Sequence, residues 1–238
     1  MHMSNNFFKF KQFTVFHDRC GMKVGTDGVL LGAWLNVENA QRILDVGTGS
    51  GIISLQIAQR NKDVKLIAIE IDKESANQAW ENINASPWKN RIQVVCNNFR
   101  YYNDAEKFDV IVSNPPYFID SLRSSDTKRR LARHAEELNY NLLFQHSRLL
   151  LNPQGQISII IPSELEKIVL DTAWEYNFYL SRKTNVYTKP LKPCRRILFE
   201  FKKQQTKCEI NDLCIRNEKG EYSDEYIALT QDFYLYMN

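Results

Sequence analysis

Two polar motifs, each at the end of a short apolar run, constrain the fold of this chain more than any other feature. The first is the glycine-rich segment Asp45-Val46-Gly47-Thr48-Gly49-Ser50-Gly51, which closes the run that starts at Ile43. The second is Asn114-Pro115-Pro116-Tyr117, which follows the run Phe108–Ser113. If both runs are parallel strands of an open α/β sheet, their carboxyl ends lie at one edge, and that edge is where ligands bind. We therefore expect the two motifs to share a site.

The rest of the chain alternates between apolar runs and helical patterns, which predicts an α/β fold with a mainly parallel, doubly wound sheet. The predicted strands are Ile43–Val46, Lys65–Glu70, Ile92–Cys96, Phe108–Ser113, Gln156–Ile161, Ser181–Tyr187 and Arg196–Lys203. The predicted helices between them are Gly51–Arg60, Lys73–Ala85, Glu136–Leu151 and Glu164–Tyr176. Because only a proline-containing loop separates the last two strands, they are predicted to form a C-terminal antiparallel hairpin.

The residues before the glycine motif have a different pattern. Phe8–Lys11 and Phe13–Phe16 have an extended character, and Asp18–Gly21 is typical of a turn. Thr26 or Asp27 is positioned to cap a short helix, Gly28–Leu35. We expect one domain over residues 1–238, with an N-terminal segment (1–36), a core (40–203) and a C-terminal extension (204–238).

Composition favours an ordinary globular protein of the cytoplasm. The 238 residues include no apolar run near the ~20 residues that a membrane span requires, and the first residues do not resemble a secretion signal. The five cysteines include no C-x-x-C pair and the four histidines are far apart, so we expect reduced thiols, no metal and no membrane. Residues 205–238 carry a net charge of −4, which leaves about +7 on the rest of the chain. A monomer is expected.

The glycine motif predicts a bound cofactor. Glycines at this turn let a ligand approach the backbone closely, and the G-x-G-x-G spacing differs from the G-x-G-x-x-G fingerprint of dinucleotide sites. Asp45 would lie near the cationic aminopropyl end of a ligand, and Glu70, at the end of the next strand, could accept from both ribose hydroxyls. A nicotinamide cofactor and an unoccupied turn are the alternatives.

Residues 40–203 resemble the class I S-adenosylmethionine-dependent methyltransferases, which implies a Rossmann-like fold with a seven-stranded sheet and S-adenosyl-L-methionine as cofactor. In that resemblance the residue after the third strand touches the adenine, and Asn98 stands here where many relatives carry aspartate. The segment before the glycine motif folds over the cofactor, which makes Thr26, Asp27 and Gly28 candidates for a lid. The full set of predicted cofactor-binding residues is Thr26, Asp27, Gly28, Asp45, Gly47, Thr48, Gly49, Gly51, Glu70, Ile71, Asn98, Phe99 and Asn114.

The Asn-Pro-Pro-Tyr motif predicts the chemistry of the target. The two prolines stiffen the loop, so that the Asn114 amide oxygen and the Pro115 carbonyl can accept both hydrogens of one planar –NH2 group. Holding both hydrogens would localise the nitrogen lone pair toward a methyl donor, while Tyr117 stacks on the flat substrate. The predicted catalytic residues are Asn114, Pro115, Pro116 and Tyr117. No strong base is required, so His134 and His146 are interpreted as residues of a helical or loop surface.

The tetrapeptide is similar to that of enzymes that methylate adenine N6 in DNA or RNA, and to that of release-factor glutamine methyltransferases. The latter have a sizeable helical domain before the glycine motif, whereas only about forty residues precede it here, which favours a nucleobase. The stretches Met22–Trp34 and Glu81–Trp88 resemble the bacterial tRNA adenine-N6 methyltransferases that act at nucleotide 37 of a valine tRNA. A DNA methyltransferase, a protein-glutamine methyltransferase and a non-catalytic RNA-binding module remain alternatives.

Three basic clusters are candidates for contacts with tRNA phosphates. The predicted RNA-binding residues are Lys23, Arg123, Lys128, Arg129, Arg130, Arg133, Lys189, Lys192, Arg195 and Arg196. Lys9, Lys11, Arg19, Arg182 and Lys183 belong to the same clusters. The four tryptophans, Trp34, Trp80, Trp88 and Trp174, are interpreted as core or helix-packing residues.

Overall fold

A computed structural model describes residues 5–116 and 138–237. The described residues form an eight-stranded sheet and a separate two-stranded sheet at the N-terminus. The strands are β1 (Phe7–Lys9), β2 (Thr14–Phe16), β3 (Arg42–Val46), β4 (Lys65–Glu70), β5 (Ile92–Cys96), β6 (Phe108–Ser113), β7 (Leu151–Pro162), β8 (Tyr179–Tyr187), β9 (Cys194–Lys202) and β10 (Glu209–Cys214).

The large sheet has the order β10-β8-β9-β7-β6-β3-β4-β5. Strands β5, β4, β3, β6 and β7 are mutually parallel, and β9 runs antiparallel to both β7 and β8. The predicted parallel sheet and C-terminal antiparallel hairpin are thus confirmed. The predicted count of seven strands is one short, because β10 adds to the edge in parallel with β8.

Helices cover both faces of the sheet. The helices among the described residues are α1 (Thr26–Trp34), α2 (Ile52–Arg60), α3 (Lys73–Asn84), α4 (Tyr140–Leu150), α5 (Glu166–Glu175) and α6 (Asp224–Thr230). Alternate residues of one strand enter two different cores: Ile43 of β3 belongs to the core that includes residues of α1 and α2, whereas Leu44 belongs to the core that includes residues of α4 and α5. This alternation is what a doubly wound sheet requires.

Two local expectations need correction. Helix α1 starts two residues earlier than predicted, with Gly25 as its N-cap, and neither Thr26 nor Asp27 caps it through a side chain. Among the tryptophans, Trp34 is buried, Trp88 packs against the core and the exposed Trp174 packs edge-on to Tyr179, but Trp80 is 57% exposed.

The C-terminal extension is integrated into the fold. After β10, helix α6 packs against α1, and the following residues return to the N-terminal strands. Tyr234 forms an antiparallel bridge with Phe10, and the Lys11 N–H donates to the Phe233 carbonyl at 2.8 Å. The two ends of the described chain therefore meet beside the start of α1.

Asn82 joins the N-terminal strands to the body of the molecule. This buried side chain on α3 accepts from the Phe16 N–H at 2.9 Å and donates to the Phe16 and Ser50 carbonyls at 2.8 and 2.9 Å. One amide thus holds β2, α3 and the glycine-rich loop together, because it presents both an acceptor and two donors.

We expect Asn82→Ala to lower the free energy of unfolding by about 3 kcal/mol, because three hydrogen bonds are lost and a buried carbonyl is left unpaired. Urea unfolding monitored by circular dichroism measures the change. Asn84→Ala, at an exposed position of the same helix, is the matched control and should change stability much less. Equal losses in the two variants would contradict the role of Asn82.

Candidate active site

The two motifs lie side by side, as the sequence predicts. Strands β3 and β6 are parallel neighbours in which Val46 is paired with Ser113. The buried Ser113 hydroxyl donates to the Val46 carbonyl at 2.8 Å and ties the two strand ends together. Gly47 and Asn114, the next residue of each strand, therefore emerge next to each other at the carboxyl edge of the sheet.

A cleft of about 330 Å³ opens at this edge. Its walls come from the segment before α1, the glycine-rich loop, the start of α2, and single residues of the β6 and β9 ends. Asn114 and Arg196 are these last two residues. The cleft thus combines the predicted lid, the predicted cofactor loop and the first residue of the predicted catalytic motif.

The glycine-rich loop has a backbone that only glycine adopts easily. Gly47, Gly49 and Gly51 have positive φ angles of 72°, 55° and 83°. A Cβ atom on Gly49 would meet nothing within 4 Å, so a side chain there would occupy open space beside the cleft. A Cβ on Gly51 would instead come 3.3 Å from Ile83 Cδ1, which shows that this glycine allows close packing on α3.

Asp45 is placed differently from the prediction. Its carboxylate is fully buried and does not line the cleft. Oδ2 accepts from the Thr48 and Ser54 hydroxyls, both at 2.7 Å, while Oδ1 is buried with no hydrogen-bond partner among the described residues. Burial raises the pKa of Asp45 from 3.8 to about 6, and the two hydroxyls oppose that rise. Asp45 therefore supports the loop from beneath.

Glu70 shapes the same loop from the neighbouring strand. Its Oε2 accepts from the Gly49 N–H at 2.9 Å, and its Oε1 accepts from the Asp72 N–H at 3.0 Å. The carboxylate is nearly buried at the end of β4. Sequence reasoning assigned Glu70 to a ribose but missed this bond, which couples the position of the carboxylate to the conformation of the glycine turn.

A narrow pocket of about 40 Å³ lies on the other side of Gly47. It is lined by Val46, Gly47, Ile69, Ile71, Asn97, Asn98, Phe99, Leu138 and Leu142. The pocket brings together four of the predicted cofactor-binding residues: Gly47, Ile71, Asn98 and Phe99. Its mostly apolar walls suit one face of a planar ring.

Within this pocket Asn98 and Phe99 have structural roles. Asn98 Oδ1 accepts from the Arg100 N–H at 2.9 Å and caps a short 3-10 turn. The ring of Phe99 is buried and stands edge-on to His146, with 4.9 Å between the ring centroids. His146 is itself buried, with Nε2 2.6 Å from the Tyr102 carbonyl, so the prediction that it lies on the surface is wrong.

The predicted lid is connected to the far side of the cleft. Asp27 Oδ2 accepts from Arg196 Nε at 2.8 Å, and this ion pair joins the first turn of α1 to β9. Gly28 faces α2, where a Cβ would approach Ile52 Cγ2 to 3.3 Å. Arg196 was predicted to contact RNA phosphates, and the structure places it in the cleft wall. The sequence does not reveal this position, because Arg196 is far from Asp27 along the chain.

The catalytic motif is described in part. Asn114 is half-buried in the cleft wall, Pro115 is buried and Pro116 is exposed. Tyr117 lies outside the described residues.

The basic residues fall into three groups. Arg123, Lys128, Arg129, Arg130 and Arg133, together with His134, lie outside the described residues. Lys23, Lys189, Lys192 and Arg195 are exposed, with Lys23 at the cleft. Arg182 and Lys183 were predicted to belong to a phosphate-binding cluster, but both are engaged within the protein. Arg182 lies over the Trp34 ring and pairs with Glu200, and Lys183 pairs with Glu166.

Residues 5–116 and 138–237 include no group of three His, Cys, Asp or Glu side chains arranged to hold a metal ion. Over the same ranges, no helix combines the length and the apolar character that crossing a bilayer requires.

Solved structures share this architecture. The crystal structure of a protein from Agrobacterium tumefaciens, described as a predicted O-methyltransferase, superposes with a TM-score of 0.70 at 17% identity; the match covers 87% of this chain and 96% of that one. An O-methyltransferase from Brevibacillus brevis, solved in complex with S-adenosyl-L-homocysteine, superposes with a TM-score of 0.51 at 15% identity, covering 73% and 70%. The fold is that of the class I methyltransferases.

Sequence comparison identifies the family. Residues 15–170 match the family described as Methyltransferase small domain. A protein from Bacteroides thetaiotaomicron named tRNA1(Val) (adenine(37)-N6)-methyltransferase is 48% identical over 236 residues, which cover 99% of this chain and 100% of that protein. The chain belongs to the methyltransferase small-domain family and, within it, groups with relatives of that name.

The cleft fits the S-adenosylmethionine that class I methyltransferases use. Gly49 leaves open the space that a side chain would fill, and Glu70 places a carboxylate at the end of β4. Gly47 borders both the cleft and the narrow pocket, so a ligand can lie across the glycine turn with a chain-like end on one side and a flat end on the other. The buried Asp45 carboxylate adds negative charge beneath this turn, which favours a cationic ligand.

We expect the free energy of unfolding to change with pH as Asp45 titrates. Because the pKa is higher in the folded state, the contribution of this group is fully present below about pH 3.8 and is lost as the pH rises through about 6. Asp45→Asn keeps an acceptor for Thr48 and Ser54 but does not titrate. Its stability relative to the parent protein should therefore rise by about 2 kcal/mol between pH 4 and pH 7.

Urea unfolding at half-unit pH intervals measures this difference. Asp63→Asn, at an exposed position, controls for the loss of one aspartate. A difference between Asp45→Asn and the parent that stays constant with pH would contradict the buried titration.

Proposed function

We propose that this chain transfers a methyl group from S-adenosyl-L-methionine to the exocyclic N6 of an adenine in tRNA, with adenine 37 of a valine tRNA as its substrate. The observation that carries the proposal is the position of Asn114 in the wall of the cleft that the glycine-rich loop forms. The name shared by relatives at 48% and 42% identity over 99% of this chain supports the substrate. A tRNA substrate also assigns the protein to the cytoplasm.

Glu70 and the lid hold the cofactor in this proposal. Each carboxylate oxygen of Glu70 already accepts one hydrogen bond, from the Gly49 or the Asp72 N–H. Because each oxygen can accept a second one, Glu70 can also accept hydrogen bonds from the ribose hydroxyls. The Asp27–Arg196 ion pair closes the cleft from the side of α1 and limits the access of water to the reacting groups.

When bound, S-adenosylmethionine supplies an electrophilic methyl group on a sulfonium sulfur. Asn114 and the Pro115 carbonyl orient the target by accepting the two hydrogens of its amino group. Ser113 and its bond to Val46 keep this acceptor pair in register with the glycine turn. The main contribution is positioning, which by itself can lower a barrier by several kcal/mol.

The amino proton leaves to solvent in this proposal, because the nitrogen is positively charged, and therefore acidic, after it has gained the methyl group and before it has lost a proton. His146 is not a base for that proton, since its ring is buried between Phe99 and the Tyr102 carbonyl.

Exposed basic residues near the cleft account for tRNA binding. Lys189, Lys192 and Arg195 occupy the loop between β8 and β9 and the start of β9, next to Arg196 in the cleft wall. Phosphate contacts at these positions would supply affinity that falls as salt rises. The proposal also includes Lys23, Arg123, Lys128, Arg129, Arg130 and Arg133 as phosphate contacts, and Tyr117 as a stacking partner.

A direct assay tests the substrate. The protein is incubated with labelled S-adenosylmethionine and, separately, valine tRNA, the same tRNA with guanine at position 37, duplex DNA and a release factor. We expect label in the first sample only, and digestion of that tRNA should release N6-methyladenosine. Label in the release factor or in DNA alone would replace the proposed function by the corresponding alternative.

Asn114→Ala tests the acceptor role. We expect kcat to fall by about 100-fold, as removal of one hydrogen-bonding group from a reacting centre does elsewhere. The Kd for S-adenosylmethionine, measured by calorimetry, should change less than threefold, because in this proposal Asn114 hydrogen-bonds to the target amino group and not to the cofactor. Asn90→Ala, an exposed position at the opposite edge of the sheet, is the control. Unchanged kcat in Asn114→Ala would exclude the paired-acceptor role.

A further inference from the structure

A second cavity, of about 710 Å³, lies behind the lid and is larger than the cleft. It is formed by the N-terminal strands, the start of α1 and the C-terminal extension. Its lining includes Phe8, Lys9, Arg216, Tyr222, Tyr234 and Tyr236. Val24, Gly25 and Thr26 line both this cavity and the cleft, so only that short segment separates them.

Aromatic rings dominate the inner wall of the cavity. Tyr222 and Tyr226 are stacked with centroids 5.3 Å apart, and Tyr234 lies 5.8 Å from Phe8 in an edge-on contact. Tyr222 is partly exposed and Tyr236 is 89% exposed. The Tyr222 ring is covered by Tyr226 and Arg216, whereas the Tyr236 ring is open to solvent in a concave site and is suited to stack on another flat ring.

The partly exposed Tyr234 hydroxyl, backed by that of the buried Tyr226, gives this wall hydrogen-bonding capacity. The Tyr226 and Tyr234 hydroxyls are 3.4 Å apart, a contact that uses one donor and one acceptor site, whereas each hydroxyl offers one donor and two lone pairs. Burial raises the pKa of both tyrosines, so both hydroxyls stay neutral and keep their protons. A flat ligand with donors and acceptors on its edge matches such a wall.

The charge of the lining is positive, although the C-terminal extension is acidic overall. Among the lining residues that the structure describes, only Lys9 and Arg216 are charged. The Arg216 guanidinium lies 4.4 Å over the Tyr222 ring, and one of its nitrogens donates to the Gly220 carbonyl at 2.7 Å. Cations beside aromatic faces are the combination that binds single-stranded nucleic acid.

We propose that this cavity holds a nucleotide of the substrate RNA that neighbours the target adenine, with its base stacked on Tyr236 and its phosphate near Lys9 and the Arg216 guanidinium that Tyr222 holds. The inference rests on the proposed function, because continuity with the cleft through Val24–Thr26 is what makes the occupant part of the same RNA. It assigns the C-terminal extension to substrate binding. A peptide or a second copy of this chain would bring no phosphate group to the two cations.

Tyr222→Ala and Tyr236→Ala test the inference. Tyr236→Ala should raise the KM for valine tRNA at least fivefold, as the loss of one stacked base does, and Tyr222→Ala should raise it as well, because the Tyr222 ring positions the Arg216 guanidinium. In both variants kcat should stay within twofold and the Kd for S-adenosylmethionine should not change. Tyr222→Phe keeps the ring and should retain the parent KM. Trp174→Ala, at an exposed aromatic position outside both cavities, is the matched control. The side chain of Tyr236 is so exposed that its removal leaves the fold intact.

Ultraviolet cross-linking of the valine anticodon stem-loop, followed by mass spectrometry of the peptides, locates the contact directly. Cross-links at Tyr222 or Tyr236 support the inference. An unchanged KM in both alanine variants, without cross-links while tRNA is still methylated, overturns the inference and leaves the proposed function standing. If no RNA is methylated, the proposed function fails, and RNA affinity measured by fluorescence anisotropy then decides the inference alone. A dimer that Tyr236→Ala dissociates assigns the cavity to a second copy and overturns it.

Discussion

The site depends on the parallel pairing of β3 with β6, which is secured at its end by the hydrogen bond from Ser113 to the Val46 carbonyl. One strand of the pair leads into the glycine-rich turn and the other into Asn114. Because both are buried, neither can slip in register without moving apolar side chains out of a core. The relative position of the cofactor turn and the proposed target loop is therefore set by the packing of the sheet.

Around this pair, charges act mainly by holding backbone segments. Glu70 binds the Gly49 N–H, Asp45 binds the Thr48 and Ser54 hydroxyls, and Asp27 pairs with Arg196 across the cleft. Buried or half-buried polar groups of this kind are costly unless paired, which makes each a strong constraint on the geometry. The same groups that would meet a cofactor thus also shape the turn that receives it.

The two ends of the chain supply the surroundings of the cleft. Asn82 fastens β2 to α3, and Tyr234 and Phe233 fasten the C-terminal residues to the N-terminal strands. These contacts create an aromatic cavity one segment away from the cleft. An acidic extension that carries no motif of its own becomes, through these contacts, a wall of a positively charged, ring-lined site.

The sequence by itself determined the strand and helix alternation, the antiparallel β8–β9 pair and the shared edge of the two motifs, because hydrophobic period and strand-ending polar residues are local properties. Only the tertiary structure decided that Asp45 lies beneath the loop, that His146 is buried, that Arg196 pairs with Asp27 and that β10 joins the sheet. Each of these depends on residues far apart in the chain, such as Asp27 and Arg196 or β10 and β8. Burial and pairing between such residues follow from how the layers pack, which no local pattern encodes.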